Sequence, residues 1–350
     1  MGSTAAKTAC LALAISSAIA ALADSSANDA AQNWEVPRTE YGHPDLQGMW
    51  SNRTQTPIAR PTELGDQRAY TPEEALAIEQ RAAEANQQKF APLDPNRDAP
   101  VAGSRIRQEA DQNFTDMRID VLRVKGEYRT SMIIDPPDGQ FPFKEGGRQN
   151  DIYGQWRAAG FGPMDGPEIR PAGERCLSRG IPPMTVPPYN ANYQIVQTED
   201  HVMILGEMVH DARIIKLDGE HQPGGFANWM GDSVGYWDGD ALVVKTVNLR
   251  PEASHFRVIS SDQFMLEERF EIVGEDEIYY SFTVTDPEIY SRPFTEELTL
   301  KRREAGEQIY EYACHEGNYS FAGILAGARR NEVDASFRRV VEPEFTGESQ

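Results

Sequence analysis

"FMLEERFEIVGEDEIYYSFTVTD", residues 264–286, is the stretch on which the fold turns. In its first half Phe264, Leu266, Phe270 and Ile272 fall on one side of an extended chain, and Met265, Glu267, Arg269 and Glu271 on the other. Apolar and charged rows alternating with period two describe a strand with one face buried and one wet. Gly274-Glu275 breaks the run, and "DEIYYSFTVTD" resumes it as a second strand. The pair reads as an antiparallel hairpin.

The same pattern extends in both directions. "YQIVQT", "HVMILGEM", "ARIIKLDG", "DSVGYWDG" and "DALVVKTVNL" precede it from residue 193, and "FTEELTLKRR" and "QIYEYACHE" follow it. Turn chemistry separates them at Glu199-Asp200, Asp218-Gly219 and Asp238-Gly239. Asp-Gly between alternating segments is a strong hairpin signal. So many consecutive strands would expose unpaired edges unless the sheet closes on itself. The expectation is therefore an all-β fold, an antiparallel up-and-down meander over 193–316 closed into a barrel. A curved sandwich is the alternative.

Residues 46–192 carry less pattern. "DLQGMWSN" reads as a first strand, and "EYRTSMIIDPPDG" as a strand over Tyr128–Ile134 ended by the turn 136–139. "TPEEALAIEQRAAEANQQ" is the clearest helix, spanning about 72–88. Thr71 and Glu74 are spaced as a capping box, and Pro72 suits the first turn. Its apolar stripe is mostly alanine, which suits a surface helix. From 139 to 192 the chain is Gly- and Pro-rich without period, and so long an irregular stretch wraps a scaffold or serves a site. "NYSFAGILAGARR" reads as a short helix over 318–330 that Asn318 would cap, and 336–350 as a tail.

The N-terminus predicts the compartment. Lys7 is followed by an apolar and small-residue run ending in Ala21-Leu22-Ala23, the form of a secretory signal peptide over 1–23. Residues 24–45 then read as a flexible arm. The protein is expected to be periplasmic or secreted. A net charge of -21 excludes non-specific nucleic-acid binding and docking on anionic membranes. No segment beyond the leader is long and apolar enough for membrane insertion. With Cys10 in the leader, Cys176 and Cys314 remain, and an oxidising compartment favours their pairing. Two buried thiols, or a thiolate nucleophile at Cys314, are the alternatives.

Two resemblances accompany these readings. Gly48-Met49-Trp50 on the first strand resembles the G-x-W of lipocalin and calycin barrels. "RTSMIIDPPDG", "EMVHDARIIKLDG", "GDSVGYWDGDALVV" and "YEYACHEGNY" together resemble a family of exported bacterial proteins of unknown function. That resemblance implies export and a shared fold, and no reaction.

Chemistry could reside in two places. "GEMVHDARII", read as extended, puts Glu207, Asp211 and Arg213 on one face and His210 on the other. An acid, a base and a guanidinium in a half-buried strand are either an ion pair or a polar constellation with His210 or Asp211 as general base and Arg213 as electrostatic stabiliser. "EYACHEGNYS" offers His315, Glu316 and Tyr312 as further acid–base groups, or else the end of a strand held by a disulfide. His210, Asp211, His315 and Glu316 are the best metal candidates, but no ligand motif is present and no metal or other cofactor is expected. Trp50, Trp229, Tyr236, Tyr280 and Tyr310, with Glu207, are candidates to line a pocket; ordinary core filling is the alternative. The expected function is an exported enzyme acting on a small apolar or aromatic organic molecule by acid–base catalysis, as a lyase, isomerase, cyclase or hydrolase. The alternative is a carrier for a hydrophobic small molecule. Oligomeric state is not legible.

Overall fold

Alternation in the C-terminal half does produce a barrel. The structure is a computed structural model that describes residues 34–89, 95–96, 119–181, 189–254 and 258–334. The expected signal peptide, residues 24–33 of the expected arm, residues 90–94 and 97–118, and the expected tail from 336 lie outside the described residues. Two compact units divide at Asp45/Leu46. In the first, Arg38 pairs with Pro44 around a tight turn in which the Thr39 N–H donates to His43 O at 2.8 Å.

The second unit carries the strands β1 (Gly48–Ser51), β2 (Ala69–Tyr70), β3 (Arg123–Val124), β4 (Glu127–Arg129), β5 (Ile133–Asp135), β6 (Asn192–Gln197) and β7 (His201–Gly206). They are followed by β8 (Ala212–Leu217), β9 (Asp232–Asp238), β10 (Ala241–Val247), β11 (Met265–Gly274), β12 (Glu277–Thr285) and β13 (Phe294–Arg302). Nine of these, β1 and β6 to β13, form a continuous sheet, and β1 closes it by pairing with both β6 and β13. Closure joins the two ends of the sheet, and β5 adds to the other end of β13, away from its pairing with β1. β2, β4 and β3 form a separate three-stranded sheet.

The all-antiparallel expectation needs one correction. β8 and β9 run parallel, with Ile215 opposite Ser233 and Leu217 opposite Gly235. Asp218-Gly219 is therefore the start of a return crossing and not a hairpin turn. Residues 218–231 make that crossing, which is long enough to retrace a six-residue strand of about 20 Å. The strand expected over Tyr128–Ile134 is also two, because β4 pairs in the small sheet and β5 joins the barrel.

A larger correction concerns "QIYEYACHE". It is not a strand. The barrel is already closed at Arg302, so residues 303–313 leave the sheet and a single helical turn, α3 (Cys314–Gly317), follows. The helices before it are α1 (Pro72–Lys89) and α2 (Ile152–Ala158), and α4 (Tyr319–Val333) comes last. The capping box of α1 is present: the Glu74 N–H donates to Thr71 Oγ1 at 3.2 Å, and the Thr71 N–H to Glu74 Oε2 at 2.8 Å. Asn318 does not cap α4. Its Nδ2 instead donates to Glu174 O at 2.7 Å, 144 residues away.

Core residues follow the period-two rows. Leu266, Phe270, Ile272, Ile278, Tyr280 and Phe282 are all buried inside the barrel. One member of the inward row of β11 is charged. Glu268, 1 % exposed, reaches Arg213 of β8, also 1 % exposed. Two strands separate β8 from β11 in the sheet, so this ion pair crosses the lumen. Arg213 Nη1 donates to Glu268 Oε1 at 3.0 Å and Nη2 to Oε2, while Nε donates to Ser233 Oγ at 3.0 Å. Tyr280 OH donates to Glu268 Oε1 at 2.8 Å, and Ser233 Oγ meets Thr246 Oγ1 at 2.9 Å. Every member has a partner, which is the condition for holding charge in an interior.

Gly48-Met49-Trp50 has a physical reason here. Trp50 is fully buried, its Nε1 donates to Leu46 O at 2.9 Å, and the Arg302 guanidinium lies 4.2 Å from its ring centre. Gly48 has a φ of 134°, which favours glycine, and a Cβ there would displace the Arg302 guanidinium from the Trp50 ring.

Candidate functional site

Side chains such as Phe270, Tyr280 and Phe282 pack the interior of the barrel, and a cleft lies at one end of it. That end carries the start of β6, the β7–β8 connection and the chain after β10. The long irregular segment 159–179 and α2 fold across it. Between them lies a cleft of about 640 Å³. Its apolar wall includes Ile169, Val209, Ala253 and Ile259, and its polar groups include Ser178, Arg179, Tyr189 and Tyr312.

The β7–β8 connection is where the extended reading of "GEMVHDARII" fails. The strand stops at Gly206, and Met208–His210 make a tight turn. Val209 and His210 both have positive φ, 63° and 46°. A β-branched residue in that region is an outlier, and such conformations persist only where the surroundings impose them. Glu207, 3 % exposed, does much of the imposing. Its carboxylate accepts from Asn190 Nδ2 at 2.9 Å and Asn192 Nδ2 at 2.5 Å, fastening the turn to the start of β6. Because the strand has ended, Asp211 is not in register with Glu207 and Arg213.

Asp211 is turned toward the irregular segment. Its Oδ2 accepts from the Arg179 N–H at 2.7 Å and from Ser178 Oγ at 3.2 Å. Burial pushes its carboxyl up to about 6, an increase that these hydrogen bonds and the nearby His210 and Arg179 only partly offset. Ser178 Oγ also accepts from the Gly180 N–H at 2.9 Å. The segment 178–180 is thus a turn wound around one carboxylate, and it presents the Ser178 and Arg179 side chains to the cleft.

The disulfide holds this turn against the C-terminal segment. Cys176 and Cys314 are joined, with Cα atoms 5.6 Å apart. Tyr312, two residues before Cys314, is brought beside Tyr189, their hydroxyls 3.2 Å apart and their rings inclined at 14°. Burial first, and then the hydrogen bond shared with Tyr189, pushes the Tyr312 phenol up to about 12. Arg179 lies among these groups. Burial lowers its pKa, opposed by the fields of Tyr193, Tyr312, Tyr189 and Asp211. Among the described residues its Nη2 is buried and has no hydrogen-bond acceptor.

Of the residues singled out in the sequence, Tyr312 lines the cleft, and Asp211 and Glu207 build its wall. His210 is exposed, its Nδ1 3.1 Å from Tyr312 O. Arg213 and Tyr280 belong to the lumen network, and Trp50 to the barrel core. Trp229 sits under the Arg250 guanidinium, 4.8 Å from its ring centre, in the β8–β9 crossing. Tyr236 and Tyr310 point outward, 43 % and 74 % exposed. His315 and Glu316 are exposed on α3. The four residues weighed as metal ligands do not converge, and among the described residues no group of three His, Cys, Asp or Glu side chains could hold a metal ion.

The sequence reading missed Ser178, Arg179 and Tyr189. Their one local signal was the unusual length of the irregular stretch that contains them. No family model matches the chain, and no curated protein is similar to it.

Proposed function

We propose that this protein binds a small organic molecule in the cleft at the end of its barrel. The observation that carries the reading is the Nη2 of Arg179, which is buried in the wall of the cleft and has no hydrogen-bond partner among the described residues. A buried donor without an acceptor costs on the order of 1–3 kcal/mol, more for a charged group, and a ligand oxygen would remove that cost. The apolar flank of Ile169, Val209 and Ile259 suits the body of such a molecule. The compartment belongs to the same proposal. The N-terminal leader and the Cys176–Cys314 disulfide support a periplasmic or secreted protein.

Native mass spectrometry of the protein isolated from its own source, before and after denaturation, tests this. A mass excess released on denaturation is expected, and its absence would count against a tight binder. Cross-linking that guest to residues outside the cleft would sink the reading.

A second reading has its own observation. Ser178 lines the cleft and its Oγ donates to Asp211, whose carboxyl burial pushes up to about 6, which suits acceptance of a proton near neutral pH. Here the protein would turn its guest over by acid–base catalysis, with Ser178 touching the guest and Asp211 behind it. Incubation of the guest with wild type and Asp211→Asn separates the two. Product formed by wild type alone, with binding retained in both, favours the enzyme. No product in either leaves the carrier.

A further inference from the structure

The cleft gathers arginines in a chain that carries -21 overall: Arg157, Arg170 and Arg179 line it with Asp151 and Glu174. Both lining acids are engaged, and Glu174 also takes up Arg170, which leaves Arg157 and Arg179. Asp151 caps α2, with Oδ1 accepting from the Gly154 N–H at 2.8 Å. Glu174 pairs with Arg170, whose Nε donates to Oε2 at 2.8 Å. Asp211 meets Arg179 through the backbone N–H and not through the guanidinium.

Resting on the binding reading above, we propose that the guest is an organic oxyanion whose charged oxygen is received by Arg179 and whose apolar body lies along Ile169 and Ile259. Three features separate this from a site for a neutral molecule. The guanidinium is partly buried, with Nη2 fully so, and an anionic acceptor gains more there than in water. The Tyr189–Tyr312 pair brings two phenolic oxygens beside it, and one hydroxyl proton is free to turn toward an anion. Arg157 stands exposed in the same cleft and adds a positive field over the entrance. Burial of the Arg179 guanidinium disfavours its charge in the empty cleft, and a bound oxyanion reverses that effect.

The test uses 1-naphthoate and cyclohexanecarboxylate, each beside its primary amide, titrated into the mature protein by calorimetry. Each amide matches its acid in shape and lacks the charge. The carboxylates are expected to bind at least tenfold more tightly than the amides. Arg179→Met should abolish that preference, and Arg179→Lys should restore part of it. Arg179→Met keeps the backbone N–H that Asp211 accepts from, so its melting temperature should match wild type, and this is checked first. Amides that bind wild type as well as the acids do, or a preference that survives in Arg179→Met, would overturn the oxyanion assignment and leave the binding site standing. If neither series binds wild type, the binding reading itself fails.

Discussion

Removing one partner of the lumen ion pair should be far more damaging than removing both. Glu268→Leu strands the Arg213 guanidinium, which is 1 % exposed and cannot shed its charge. It also takes the acceptor from Tyr280 OH. Breaking a buried pair from one side typically costs about 3–5 kcal/mol. Arg213→Met leaves a buried carboxylate and should cost about as much at pH 7. In the double variant no charge remains. Ser233 keeps Thr246, and the loss reduces to one unsatisfied tyrosine hydroxyl and imperfect packing, about 1–3 kcal/mol. If the single effects were independent, the double would cost about 6–10 kcal/mol; the structure predicts a coupling of at least about 3 kcal/mol. Urea unfolding of the four proteins measures it. The pH dependence adds a second check. A carboxyl left alone can neutralise itself by taking a proton, so the Arg213→Met penalty should shrink as pH falls toward 5, and the Glu268→Leu penalty should not. Additive single effects, or single variants within about 1 kcal/mol of wild type, would refute the crossing of the lumen by a dry ion pair.

Three further outcomes follow from the cleft. Asp211 has its folded value raised to about 6 from 3.8, so its proton is held more tightly in the folded chain. Stability should therefore fall as pH rises from about 4 to 6, by an amount on the order of 3 kcal/mol, and Asp211→Asn should flatten that slope in a series of urea titrations. Replacing Cys176 and Cys314 by serine removes a link across 138 residues, worth about 5 kcal/mol on the chain-entropy account. It should also weaken guest binding, because Ser178–Arg179 and Tyr312 are then no longer tied together; unchanged affinity would show that the cleft does not depend on the link. Glu207→Ala deprives Asn190 and Asn192 of their acceptor and should cost about 3 kcal/mol. Hydrogen exchange should rise at 189–192 and 207–210, and exchange confined to other segments would contradict the role given to Glu207.

What the sequence determined by itself is what depends on neighbours along the chain. The alternation of Phe264, Leu266, Phe270 and Ile272 with charged residues needs only a period of two to assign a buried face. Asp238-Gly239 needs only glycine's access to positive φ, here 62°, to make a hairpin. Thr71 and Glu74 need only their spacing to cap a helix. The pairing of Cys176 with Cys314 was legible because only two cysteines remained to choose between.

Tertiary structure decided the rest, wherever the deciding partner was remote. "QIYEYACHE" has a strand's alternation, yet β12 and β1 already flank β13, and no edge was left for it there. "ARIIKLDG" ends like a hairpin strand, but only the crossing back across the barrel shows that β9 joins it in parallel. Glu268 interrupts an apolar row, a local sign that a buried charge needs a partner, and nothing local says that the partner is Arg213. The cleft is the extreme case. Arg179, Tyr189, Val209, Ile259 and Tyr312 come from segments whose order along the chain says nothing of their distance in space. A carboxylate's tendency to lose its proton is likewise set by what surrounds it. Asp211 acquired its raised value from burial against a turn that lies 31 to 33 residues upstream, and no reading of its own strand could supply that.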